Sequence, residues 1–249
     1  MAAMNLVLDL GNSFGKIAVC RGSEVLESAV YEKITIREIA YFNTRYDGLK
    51  GVIISSVVND SREMIDYLGN LFNTCIELDH NTPIPLINRY HTPETLGYDR
   101  IAAAVGAYTI YPAKNVLVID AGTAITFDLV TAGGEYLGGN ISPGMTIRFK
   151  SLNKYTNRLP YLERPEEKPP LLGRSTKEAI QAGVVNGIIF ELDGFIGAMA
   201  QYHPDLQVVL TGGDAKYFEG KLKNSIFVDL NLNLIGLNRI LEHNASEKI

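Results

Sequence analysis

The clearest hydrophobic pattern in the chain is a short apolar run closed by a carboxylate and a glycine, and it occurs twice. Leu6-Val7-Leu8 runs into Asp9-Leu10-Gly11-Asn12-Ser13, and Val116-Leu117-Val118-Ile119 runs into Asp120-Ala121-Gly122-Thr123. An uninterrupted apolar run of this length, bounded by glycine, predicts a strand buried on both faces. The glycine two residues after the aspartate lets the backbone turn tightly and approach a ligand without a Cβ in the way. Two such elements more than a hundred residues apart predict a duplicated unit.

The rest of the pattern fits that frame. In the first half, 16–20 and 24–31 read as the next two strands, and 51–58 as a β-branched central strand. Residues 35–46 read as a helix capped by Thr35, 61–72 as a second helix, and 75–78 as a short strand. The stretch 81–96 carries Pro83, Pro85 and Pro93 and predicts a loop. It ends in Gly97-Tyr98-Asp99-Arg100, where a helix begins and runs until Pro112 stops it. In the second half, strands are expected at 116–119, 124–129, 135–137, 207–210 and 226–228. Helices are expected at 146–152, 176–199 and 233–243, with a first turn at 215–218. The stretch 138–144 is too rich in Gly and Pro to predict regular structure, and 160–170 is a proline-rich, charged loop. The expected division is an N-terminal domain at 1–112 and a C-terminal domain at 113–249, both α/β with a mixed sheet.

Composition narrows the class. With 249 residues, 46% hydrophobic and 20% charged, the chain has enough apolar surface for one large or two modest cores, and disorder throughout is excluded. A formal net charge of −5 argues against a broad basic face for nucleic acid. Cys20 and Cys75 sit in apolar contexts and read as buried free thiols. Met1-Ala2-Ala3-Met4 lacks the features of a signal peptide, and no apolar run appears long enough to span a bilayer. The expectation is a soluble cytoplasmic protein with no nucleic-acid or membrane partner.

The two Asp/Gly hairpins, facing each other across a cleft, would hold a polyphosphate and its metal. Turn N–H groups and the side chains of Asn12, Ser13 and Thr123 would donate to phosphate oxygens. Asp9 and Asp120 need a role that offsets the cost of burying charge, and cation coordination supplies it. The chain has no P-loop, because Gly15-Lys16 is followed by Ile17, and no strand-linked G-x-G-x-x-G. Thr211-Gly212-Gly213-Asp214 follows a predicted strand; the paired glycines would let a flat base such as adenine pack on the backbone, or they close a plain β-to-α turn. Asp99 is either a helix cap with Arg100 solvated, or a general base beside a cation that receives an anionic substrate. The four histidines, at 80, 91, 203 and 243, lack metal-ligand spacing, and the Lys/Glu cluster at 163–168 reads as a solvated loop. No Gly-x-Ser-x-Gly elbow or Cys/His pair suggests a covalent nucleophile.

Taken in order, these motifs resemble the superfamily of acetate and sugar kinases, heat-shock chaperones and actin, and within it the type III pantothenate kinase (CoaX) family. Asp9-Leu10-Gly11-Asn12-Ser13 matches the first phosphate motif, with Ser13 where Thr is commoner. Gly97-Tyr98-Asp99-Arg100 matches the Gly-x-Asp-Arg substrate motif and Asp120-Ala121-Gly122-Thr123 the second phosphate motif. Gly138-Gly139, Pro143-Gly144, Gly173 to Thr176 and Thr211-Gly212-Gly213-Asp214 follow in the family's order. The resemblance implies two actin-like (ribonuclease H-like) domains with a nucleotide cleft between them. It implies ATP-dependent phosphorylation of pantothenate at the first step of coenzyme A synthesis. ATP would be held by Asp9, Leu10, Gly11, Asn12, Ser13, Phe14, Gly15 and Lys16, with Thr123, Gly212 and Gly213. Pantothenate would be lined by Tyr90, Gly97, Tyr98, Asp99, Arg100 and Thr176, with Asp99 as general base. Asp9 would organise Mg²⁺ on the phosphates, Asp120 would bind K⁺ or NH₄⁺, and the protein would be a homodimer. Two rivals remain: a non-enzymatic regulator of the Bvg accessory factor kind, and another small-molecule kinase of the superfamily.

Overall fold

The structure is a computed structural model that describes residues 3–11, 14–56 and 62–246. The first apolar run forms β1 (Met4–Leu10), which turns into β2 (Gly15–Arg21) and β3 (Glu24–Tyr31). Thr35 caps α1 (Ile36–Arg45) in a capping box, its side chain accepting from the helix while Glu38 reaches back to the Thr35 N–H. Then come β4 (Gly51–Ser56), α2 (Arg62–Leu71) and β5 (Thr74–Glu77). The sheet has the order β3-β2-β1-β4-β5; β1 and β2 pair antiparallel, and β4 lies parallel to both β1 and β5. Positions 57, 58 and 61 of the predicted elements lie outside the described residues.

The stretch expected as loop at 81–96 contains a two-residue strand, β6 (Ile87–Asn88), and a 3₁₀ turn at Pro93–Thr95 before α3 (Tyr98–Ile110). The second apolar run forms β7 (Val116–Ala121), followed by β8 (Ala124–Val130) and β9 (Glu135–Pro143). Here the structure corrects the expectation of irregular chain at 138–144. Gly139 lies so close to the Phe127 carbonyl of β8 that any side chain would collide with it, so glycine permits the strand rather than breaking it. Next are α4 (Met145–Lys154), α5 (Thr176–Tyr202), β10 (Gln207–Thr211), α6 (Ala215–Phe218), β11 (Phe227–Val228) and α7 (Leu232–Ser246).

The second sheet runs β11-β10-β7-β8-β9-β6. Leaving out β6, its order β9-β8-β7-β10-β11 repeats the first sheet strand for strand. β7 and β8 pair antiparallel, and β10 lies parallel to β7 and β11, as in the first sheet. This repeat is the duplicated unit that the two Asp/Gly runs predict.

Two compact units result. One comprises the chain through Ala113, Ala132–Leu137 and the chain from Asn231 onward; the other comprises Lys114–Thr131 and Gly138–Leu230. In the first, Leu6, Leu8, Ile17, Val19, Val52 and Ile54 pack against Ile39, Phe42 and Leu68 of α1 and α2. On the other side α7 packs on α3, β1 and β4. Gly106 of α3 abuts the Leu232 carbonyl and Gly236 of α7 abuts the Ala102 carbonyl, so the two helices cross backbone to backbone. In the second unit, Ile119, Phe127 and Leu210 of the sheet bury Ile188 and Leu192 of α5.

α5 corrects the membrane expectation on one point. At 27 residues it is long and apolar enough to cross a bilayer by length and composition, but here its face serves the core of the second unit. Cys20 is buried, as expected, and burial pushes its thiol up to about 12. Cys75 is only half-buried.

Candidate active site

The first unit gathers one set of the predicted residues at the C-terminal end of β1. Asp9 sits in register with Lys16 on β2 and Ser55 on β4. Burial pushes the Asp9 carboxyl from 3.8 up to about 6; the Lys16 ammonium pulls it back down and the charge of Asp99 adds to the rise. Asp9 and Asp99 are therefore electrostatic neighbours, a relation that no spacing in the sequence displays. After Leu10 the chain turns at Gly11, whose N–H donates to the Phe14 carbonyl at 3.1 Å. That N–H closes the turn itself, which removes one of the donors expected for phosphate. A Cβ on Gly11 would lie 3.0 Å from the same carbonyl oxygen. Phe14 is exposed, while Gly15 packs on Ile34. Asn12 and Ser13 lie outside the described residues.

Gly97 is the N-cap of α3 and makes no side-chain cap bond. Its φ of −59° and ψ of 134° suit any residue, so its backbone does not explain the glycine. Space does: a Cβ there would lie 2.5 Å from Asp99 Oδ1. The Asp99 carboxylate occupies that space and accepts a hydrogen bond from the Arg100 N–H at 2.8 Å, at the positive end of the helix. Tyr98, the first residue of α3, is partly buried, whereas Asp99 is exposed to solvent.

Arg100 settles one of the open alternatives. It is not solvated but only 5% exposed, and its guanidinium lies 5.4 Å from the centre of the Tyr90 ring. Tyr90 in turn packs on the buried Tyr136 ring, 6.2 Å between centres, and its N–H donates to Asn88 Oδ1. Tyr136, on the first residues of β9, is a member of this cluster that sequence reasoning missed. Its only sequence signal was a β-forming aromatic after the Gly133-Gly134 turn.

The second unit gathers the other set. Asp120, at the end of β7, pairs in register with Thr211 of β10. Gly212 has φ of +94°, a conformation glycine favours, and a side chain there would run into Asp120 Oδ1 and, at 2.6 Å, into the Ala121 carbonyl. A Cβ on Gly122 would also lie 3.3 Å from Asp120 Oδ1. Bare glycine backbone thus surrounds one face of that carboxylate. The Asp214 N–H donates to the Ala121 carbonyl at 2.9 Å, locking the Gly212-Gly213 turn onto the Asp120 turn. Gly144, the N-cap of α4, donates its N–H to the Thr123 carbonyl at 3.0 Å and packs where no side chain would fit. Thr123 is exposed beside that helix terminus.

Residues 163–168 form a largely exposed loop, as expected, which is nonetheless tied to the rest of the second unit. Arg164 pairs with Asp214 at 2.8 Å and lies over the Tyr217 ring, and Gln181 holds the Glu163 carbonyl. Burial raises the Asp214 carboxyl above its usual range, while Arg164 pulls it down. Thr176, the first residue of α5, is exposed in a groove lined by α4 and α5, to which neither the Asp120 nor the Gly212 turn contributes.

No three His, Cys, Asp or Glu side chains cluster as metal ligands among the described residues. The donor sets nonetheless fit cations. The Asp9 carboxyl feels the charge of Asp99, with Lys16 as counter-charge, which suits a divalent ion completed by ligand oxygens. Asp120 Oδ1 faces glycine backbone at 212 and 122, room that a Cβ would fill.

A mixed five-stranded sheet built twice, with a carboxylate at the end of each leading strand, defines the ribonuclease H-like, actin-like class of folds. The backbone agrees: a conserved Baf family protein from Campylobacter jejuni superimposes with a TM-score of 0.61 at 23% identity over 97% of this chain and 99% of that one. An inorganic polyphosphate/ATP-glucomannokinase from Arthrobacter gives 0.50 at 13% identity over 98% and 99%. Residues 5–198 match the sequence model of the type III pantothenate kinases, and the chain belongs to that family. It is 46% identical to the type III pantothenate kinase of Phocaeicola vulgatus, over 97% of this chain and 99% of that one. It is 44% identical to that of Bacteroides fragilis, over 97% and 98%.

Proposed function

We propose that this chain is a pantothenate kinase, which moves the γ-phosphoryl group of ATP to the primary hydroxyl of pantothenate and so opens coenzyme A synthesis. Family membership over most of the chain supports the activity, and one observation carries the residue assignment. The Asp99 carboxylate is exposed, held at a helix N-terminus beside the buried Arg100, in the space that Gly97 leaves open. In this reading Asp99 accepts the hydroxyl proton as the new O–P bond forms and the bond to the ADP oxygen breaks. Arg100, backed by the Tyr90 ring, binds the pantothenate carboxylate. Gly97, Tyr98 and Thr176 complete that site. Phosphoryl transfer needs positioning and charge stabilisation more than covalent chemistry from the protein.

The turn from Asp9 through Lys16, with Thr123 and the Gly212-Gly213 turn, holds ATP. Mg²⁺, when bound, neutralises phosphate charge, with Asp9 as its protein anchor. Asp120 holds K⁺ or NH₄⁺; the glycine backbone facing its Oδ1 supports a role for a large, weakly demanding ion. The protein acts in the cytoplasm as a homodimer, a reading supported by family resemblance. Retention of Asp99, Asp120 and Thr123 weighs against a regulator without activity, since a pure regulator has no physical need for all three.

The test is ADP release by purified protein with ATP and Mg²⁺, with and without pantothenate. Pantothenate-dependent release is expected, and Asp99→Asn should bind ATP normally while losing turnover by orders of magnitude. Near-normal turnover in Asp99→Asn would remove the general-base role. No turnover by a folded wild-type protein would return the regulator reading.

A further inference from the structure

The first unit has a second concave surface, at the end of β1 away from Asp9. A cavity of about 360 Å³ opens there between the N-terminal ends of β1, β4 and β5 and the last turns of α7. Asn5, in its floor, is four residues from Asp9 along the strand, about 13 Å by strand rise. Nothing in the proposed phosphoryl transfer uses it.

Its wall carries Lys50, at the start of β4, and Arg239, on α7. Neither side chain has a hydrogen-bond or ion-pair partner among the described residues, and neither does the Thr74 hydroxyl beside them. The floor is polar and fixed. Asn5 is 4% exposed and donates through Nδ2 to Asn238 Oδ1 at 2.9 Å. Asn238, fully buried, donates to the Gly22 carbonyl at 2.8 Å and to Glu242 Oε1 at 3.3 Å. The one carboxylate in the lining is thus tied into the floor, and two cations from different elements remain against it. Unpaired like charges on one concave wall are relieved by an anion, and a guanidinium, an ammonium and a hydroxyl suit the oxygens of a phosphoryl group. The cavity is larger than a bare phosphate needs, and Leu241 and Ala245 give it an apolar side for a short organic chain.

We propose that this cavity is a binding site for a small phosphomonoester, its phosphoryl group held by Lys50, Arg239 and Thr74. Such a ligand would bridge the start of β4 to α7, the helix that crosses α3 through Gly106 and Gly236. The proposal stands apart from the proposed chemistry.

Glycerol 3-phosphate and inorganic phosphate, titrated into the full chain by calorimetry and thermal shift, test it. Expected is saturable binding, tighter for glycerol 3-phosphate. Affinity should fall at least tenfold in Lys50→Ala and in Arg239→Ala and rise in Glu242→Gln, with pantothenate-dependent turnover unchanged in all three. Where alanine lowers the ligand-free melting temperature, Lys50→Gln and Arg239→Gln replace it. Absence of binding at 20 mM overturns the proposal. So does equal affinity in wild type and both cation variants, which would place the anion at the phosphate turns instead.

Discussion

Gly97→Ala is a substitution whose costs to stability and to catalysis should separate. The new Cβ would lie 2.5 Å from Asp99 Oδ1, so the carboxylate must move by about 1 Å to reach ordinary contact. The obstructing atom is the end of a side chain, not backbone, and Gly97 already has a φ and ψ that alanine adopts freely. The fold therefore loses little: the bond from the Arg100 N–H, worth about 1 kcal/mol, or about 2–4 °C of melting temperature in a chain of this size. If Asp99 is the general base, catalysis loses more, because about 1 Å of misplacement of a reacting group can cost about 100-fold. Steady-state ADP release should show kcat down by about two orders of magnitude, with KM for ATP within threefold of wild type. A kcat within threefold of wild type would refute the claim that the glycine exists to place this carboxylate. So would a loss confined to KM for ATP.

Three further outcomes follow from the same geometry. The folded state keeps a proton on Asp9 up to about pH 6, whereas the unfolded chain releases it near 3.8; stability should therefore fall as pH rises through that window, by roughly 3 kcal/mol in all. Urea denaturation of wild type and Asp9→Asn across that range checks this, and a difference between them that ignores pH would show the carboxyl to be unperturbed. Gly106→Ala drives a methyl into the Leu232 carbonyl, which is backbone and cannot step aside, so it should cost about 3 kcal/mol in the same assay. If Asp120 holds a monovalent cation, turnover should require K⁺ or NH₄⁺, and equal rates in buffer containing only Na⁺ would remove it from that role.

How much was legible beforehand depended on how local the cause was. The strands β1 and β7 declare themselves by uninterrupted apolar residues, and α1 by its cap and period, because each signal lies within a few residues of its effect. The duplication was legible for the same reason: two copies of one local pattern. β9 was not. Its glycines look like strand breakers in sequence, and the role of Gly139, close approach to the Phe127 carbonyl, depends on a partner strand. The loop at 163–168 is solvated as it reads, but the partner that anchors Arg164 is Asp214, 50 residues away, and no local signal names it.

The sequence by itself determined the elements that leading strands, caps and turns dictate, the residue types able to hold phosphate and cations, and a set of motifs ordered as in one kinase family. Only the tertiary structure decided which charges meet. Asp9 and Asp99 are ninety residues apart in the chain, yet the charge of Asp99 helps raise the Asp9 carboxyl because β1 and α3 fold into one unit. Arg100 is buried, with its guanidinium against the ring of Tyr90, ten residues earlier in the chain. The C-terminal helix α7 joins the first unit because glycines at 106 and 236 let it lie backbone to backbone on α3. Burial, desolvation and close approach are properties of pairs of distant segments, and no window along the chain contains both members of the pair.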